Sequence, residues 1–112
     1  MKFKDFDAYQ KQCKKTAVYP KIGKNFVYPV FGLVGETGEV AEKIKKLFRD
    51  DKGRLSEGKR QEIAKELGDV MWYMAQLSTE LGLKLSDIVE ANLEKLSLRS
   101  LRGKLHGSGD NR

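Results

Sequence analysis

The sequence predicts an all-α, single-domain protein: a four-helix bundle built around a central antiparallel helical hairpin. Three observations carry this. Leu33, Thr37, Val40, Ile44 and Leu47 step by four, three, four and three, the period of an amphipathic helix. Ile63, Leu67, Val70, Met74, Leu77 and Leu81 repeat the same rhythm further along. Between the two runs lies Asp50-Asp51-Lys52-Gly53-Arg54, a polar break of turn-forming residues that would reverse the chain.

Taken in order, Phe3, Phe6, Cys13 and Ala17 recur at helical spacing, which predicts a first helix over residues 3 to 17 with Cys13 buried on its inner face. Tyr19-Pro20 ends it, because the residue before proline avoids helical geometry. Residues 18 to 31 read as a loop with Tyr19, Phe26, Tyr28 and Phe31, aromatics suited either to plugging the end of the bundle or to walling a stacked base. The organising helix follows, then a turn over residues 49–55. Ser56 is placed to cap a long helix from Glu57 to Leu81. Gly68 inside that helix costs about 1 kcal/mol relative to alanine, which suggests a close approach at that point. Gly82 reads as its left-handed cap, Ser86 as the cap of the last helix, and Val89, Leu93 and Leu96 as that helix's buried side. Residues 103–112 contain three glycines and no periodicity, the composition of a flexible tail.

The 112 residues, 39% of them apolar and 34% charged, suffice for one domain with a modest core. A bundle of this size leaves apolar faces partly covered, so association as a dimer or tetramer is expected. One cysteine excludes an intrachain disulfide framework and fits a reducing compartment. The charged start, Met1-Lys2-Phe3-Lys4-Asp5, does not resemble a signal peptide, and no apolar run is long enough to span a membrane. A cytoplasmic protein is expected. The net charge of +6 raises nucleic acid as a partner, but no helix-turn-helix spacing, zinc ligand set or aromatic-basic strand accompanies it.

Chemistry gathers on the hairpin. Glu36 and Glu39 lie one turn apart, and so do Glu66 and Asp69. Carboxylates at i and i+3 point the same way and can share one hard cation. Glu39 with Glu42 and Asp87 with Glu90 have the same spacing, so spacing alone does not select a site. Counted from the turn, however, the first two pairs fall at nearly the same level, roughly 15–20 Å along each helix. If they face each other, four negative charges repel unless cations intervene; if they face away, they are two ordinary polar stripes.

Gly35-Glu36-Thr37-Gly38-Glu39-Val40 followed by Lys65-Glu66-Leu67-Gly68-Asp69-Val70 resembles the MazG-like family of all-α nucleoside triphosphate pyrophosphohydrolases, whose signature is ExxE, a spacer and ExxD. The likeness extends through Thr16-Ala17-Val18-Tyr19-Pro20, Asn92-Leu93-Glu94-Lys95-Leu96, Arg99 and the tail. It covers roughly residues 8 to 112 and is greatest to small phage and bacterial members. The resemblance implies Mg2+, with Mn2+ as a substitute, held by Glu36, Glu39, Glu66 and Asp69. It implies hydrolysis of a nucleoside triphosphate to the monophosphate and pyrophosphate. In that reading Glu39 accepts a proton from water, and Lys43 and Lys95 neutralise phosphate charge. Asn92, Lys95 and Arg99, which step along one face of the last helix, hold the triphosphate, and Trp72 contacts substrate or packs in an interface. The positive charge suits such a polyanion. Competing expectations are a house-cleaning activity on modified nucleotides or phosphoribosyl intermediates, a non-catalytic nucleotide-sensing module and a basic nucleic-acid-binding dimer. Metal-dependent turnover and salt-dependent duplex binding separate these.

Overall fold

A computed structural model describes residues 2–103 and 105–112; Met1, and Lys104 of the basic cluster near the C-terminus, lie outside the described residues. Four helices follow one another: α1 (Phe6–Thr16), α2 (Val27–Asp50), α3 (Glu57–Glu80) and α4 (Leu85–Leu101). α2 and α3 form the antiparallel hairpin that the two apolar stripes predict. α1 lies across α3, and α4 touches α1 and α3 but not α2. No described helix is long and apolar enough to cross a membrane.

Helix ends are set by identifiable groups. Asp5 starts α1 by accepting the Ala8 N–H at 2.7 Å, so the helix begins three residues later than the apolar rhythm suggests. Ser56 caps α3 through the Lys59 N–H, and Gly82 beyond its end has φ +69°, both as expected. Ser86 does not cap α4: the helix already starts at Leu85, and the Ser86 hydroxyl donates instead to Asp7 of α1. The Leu85 N–H is met by the Gln10 side-chain carbonyl, while the Gln10 amide donates to Thr79 and to the Leu83 carbonyl. One α1 side chain therefore supplies the cap that the local sequence lacks.

The expected loop over 18–31 is shorter than predicted, because α2 starts at Val27. Pro29 sits in its first turn, where a missing N–H costs little, and the Asn25 side chain accepts the Tyr28 N–H. Glu80 organises the remaining loop by accepting from the Tyr19 hydroxyl and from the Gly23 and Asn25 N–H groups. Tyr19 is buried and stacks on Tyr28, with ring centroids 4.7 Å apart, which plugs this end of the bundle; Phe26 and Phe31 remain exposed.

The core is small. Cys13, Ala75 and Leu85 form its centre, with Phe6, Tyr9 and Trp72 packed against them. Burial pushes the Cys13 thiol above its ordinary range, as suits an inert packed side chain. Two expectations change here. Ala75, which lies outside the apolar stripe of Ile63 to Leu81, is fully buried with Cys13 of α1 packed beside it. The expected buried side of α4 is open, with Leu93 63% exposed; Leu85 and Arg99 are its buried residues instead. A close approach does not explain Gly68 either, since nothing lies within 4 Å of where its side chain would start.

Replacing Gln10 with alanine removes three hydrogen bonds joining α1 to the α3–α4 turn. The expected loss is about 1–3 kcal/mol of stability, read from urea denaturation, with the far-UV helical signal retained.

Candidate active site

The antiparallel register of α2 on α3 decides which polar groups meet. Gly32 faces Tyr73, Glu36 faces Glu66 and Asp69, and Lys43 reaches Glu66 at 3.7 Å. One member of the first acidic pair, Glu36, thus faces both members of the second. One carboxylate oxygen from each of Glu36, Glu66 and Asp69 lies within 4.8 Å of the other two.

Two further carboxylates this close raise the cost of ionising Glu36. The Glu36 carboxyl is pushed above its usual range, first by its contact with Glu66, then by burial, then by the charges of Asp69, Glu66 and Glu39. Lys43 stands beside the group, paired with Glu66. The donor set is all oxygen and carries excess negative charge, which fits a hard divalent cation such as Mg2+ or Mn2+ and fits poorly any soft metal. Glu39 does not belong to the three-carboxylate group; it is exposed one turn further along α2, and its charge is felt at Glu36.

Beside the carboxylates an open cavity of about 350 Å3 is lined by Thr16, Glu36, Asp69, Trp72 and Tyr73. That lies within the range of small-molecule sites. Trp72 donates its indole N–H to the Thr16 hydroxyl at 2.8 Å, which fixes the ring against the end of α1. Tyr73 meets Trp72 edge to face, with centroids 5.0 Å apart. Its phenol is raised by burial and by the nearby Tyr28, Glu36 and Asp69. The ring lies against bare backbone at Gly32, where a Cβ would come within 2.1 Å of it.

Sequence reasoning singled out Trp72 but passed over Tyr73 and Thr16 as lining residues. Tyr73 carried a signal, since it continues the stripe of Glu62, Glu66 and Asp69 along one face of α3. Thr16 and Gly32 carried none that spacing could reveal. Asn92, Lys95 and Arg99 are not brought to this cluster through α2, because α4 stays clear of that helix. Lys95 and Arg99 instead contact the C-terminal tail.

A family model described as the MazG nucleotide pyrophosphohydrolase domain matches residues 30–102, a span that includes all four acidic positions of the hairpin. The chain is also 46% identical over 111 residues to the Gene 37 protein of Mycobacterium phage L5, covering 95% of this chain and 97% of that protein. No solved structure gives a significant match.

The raised Glu36 carboxyl fixes the sign of a pH effect. In the metal-free protein the folded state holds this proton more tightly than the unfolded chain does. Its contribution to stability therefore falls as pH rises from the ordinary glutamate value through the raised one, and it stays unfavourable above that. Thermal melts across this window, with a chelator present, should show Glu36→Gln removing part of the decline. Magnesium should raise the melting temperature of the unsubstituted protein at neutral pH and raise that of Glu36→Gln less.

Proposed function

Because the chain belongs to the MazG nucleotide pyrophosphohydrolase family, we propose that it hydrolyses a nucleoside triphosphate to the monophosphate and pyrophosphate in a magnesium-dependent reaction. The observation that carries this reading is the group of Glu36, Glu66 and Asp69, three carboxylates within 4.8 Å beside an aromatic-lined cavity. These residues, with Glu39 completing the set, would hold Mg2+, or Mn2+ in its place. Bound there, the ion supplies polarisation of phosphoryl oxygens and acidifies a coordinated water.

The remaining roles belong to the chain's own groups. Glu39, exposed and outside the tight cluster, takes the proton of the attacking water. Lys43, already 3.7 Å from Glu66, keeps the site's charge from growing too negative for a triphosphate to approach. Trp72 and Tyr73, set edge to face, each offer a ring for the base to pack on, with Glu36 and Asp69 lining the same cavity. Direct attack by water is favoured over a covalent intermediate, since the single cysteine is buried and no activated serine stands beside the carboxylates.

We further propose that the working form is a dimer or tetramer. The isolated chain exposes 8544 Å2, against about 6200 Å2 for a compact monomer of its mass. Its radius of gyration is 16.9 Å, against about 13 Å for a compact domain of this length. Phe31, Val34 and Phe48 on α2 and Leu93 on α4 are each more than 60% exposed. The excess area is of the size that obligate interfaces bury. Asn92, Lys95 and Arg99 would then hold the triphosphate within the assembly, and the protein would work in a reducing, cytoplasmic setting where Cys13 stays a thiol.

Pyrophosphate release from a panel of canonical and modified triphosphates, with and without magnesium, tests the reaction. Asp69→Asn and Glu66→Gln should each lower kcat/KM by at least ~10²-fold while leaving the fold intact. Full activity in both at saturating magnesium would refute the assignment. Light scattering should give a dimer or larger at micromolar concentration, and Leu93→Glu should weaken it; a fully active monomer would remove the assembly from the proposal.

A further inference from the structure

The tail beyond α4 is where composition misleads. It folds back on the helix rather than trailing away. Arg102 donates to the Arg112 carbonyl, and the Arg112 guanidinium reaches the carbonyls of Gly109 and Leu105. Gly109 has φ +83°, a conformation that favours glycine, and it turns Asp110 toward α4.

What the tail meets there is a pair of cations. Arg99 is only 3% exposed, an unusual state for an arginine on a helix with so little packed around it. Its Nη2 donates to the Asp110 carbonyl at 2.6 Å and, at 3.4 Å, to the Gly109 carbonyl and the Asp110 carboxylate. Lys95 Nζ reaches the same carboxylate oxygen at 3.3 Å. The Arg99 Nε is buried without a hydrogen-bond partner. A guanidinium normally meets a carboxylate with two parallel bonds, and here, among the described residues, Nη2 alone reaches Asp110. The Asp110 side chain is itself 84% exposed and sits at the long end of bonding distance. Two cations thus share one loosely held carboxylate, and one buried donor remains unmet.

We propose that Lys95 and Arg99 form a phosphate-class anion site that the chain's own tail closes, with the Asp110 carboxylate as its resident occupant. A phosphoryl group carries enough oxygens to meet Nε, Nη2 and Nζ together, which one carboxylate oxygen does not. Asp110 is held below the usual carboxylate range by Lys95 and Arg99, so it is ionised at neutral pH and competes for the site. The inference rests on the proposed role of these two cations toward a triphosphate, and it adds that the tail must withdraw before they can act.

Calorimetric titration of inorganic pyrophosphate into the full-length protein, with chelator and no divalent ion, isolates this site. Without metal, the carboxylate cluster on α2 and α3 repels the ligand. Asp110→Asn should bind pyrophosphate roughly three- to fivefold more tightly than the unsubstituted chain, the scale of one exposed ion pair. Adding Lys95→Gln or Arg99→Ala to Asp110→Asn should remove the gain; the exposed Lys95 serves if the buried Arg99 proves necessary for folding. Unchanged or weaker binding in Asp110→Asn, binding that survives Lys95→Gln, or no binding by any variant at millimolar pyrophosphate would overturn the proposal. Turnover and metal play no part in this measurement, so its failure is distinguishable from failure of the hydrolase reading.

Discussion

The structure depends on a conflict between packing and charge in the α2–α3 hairpin. The antiparallel register sets Glu36 against Glu66 and Asp69, while of the two apolar stripes Leu47 is buried and Ile44, Leu67 and Leu81 stay exposed. Like charges at this separation oppose folding. The hairpin tolerates them because the seam continues on both sides, with Val40 and Leu47 toward the turn and Leu77 toward the far end, and because Lys43 stands beside Glu66. The residues that make the hairpin costly without a cation are the ones proposed to hold it.

Packing elsewhere is spent on fixing one wall of that site. α1 covers Ala75 and Trp72 with Phe6, Tyr9 and Cys13, and Thr16 at its end holds the indole N–H. Gln10 then joins α1 to the start of α4, and Glu80 ties the aromatic loop to the end of α3. What these contacts do not cover is the outer side of α2 and most of α4. The chain is therefore packed on one side of the cavity and open around its periphery.

Helical period made the hairpin legible, because it reports which side of a helix is apolar. Ser56 and Gly82 were legible for a related reason: their effect is local and needs no partner from elsewhere in the chain. Period does not report what covers the apolar side. Leu93 on α4 reads as core by spacing and stays exposed, while Ala75, outside the apolar stripe of α3, is fully buried beside α1. Ser86 fails as a cap for the same reason, since a distant glutamine satisfies the helix start first. At the site, the acidic pairs were visible as a pattern. Tyr73 continued that pattern too, but its packing on Gly32 across the hairpin becomes apparent only once the register is known.

The tail shows how far composition can be trusted. Three glycines remove any helical rhythm, and rhythm is the signal from which order is read. Order here comes from charge instead. Arg99, too large to pack and too polar to bury alone, is accommodated because main-chain carbonyls of the tail accept from it. A carbonyl gives an arginine a hydrogen bond but no opposite charge, so the electrostatic demand of Arg99 and Lys95 falls on Asp110, which remains mostly in water. The contact is thus strong where it is neutral and weak where it is charged. Such an arrangement holds the tail in place mainly through its main chain, and it is the ground for proposing that the two cations take a better anion.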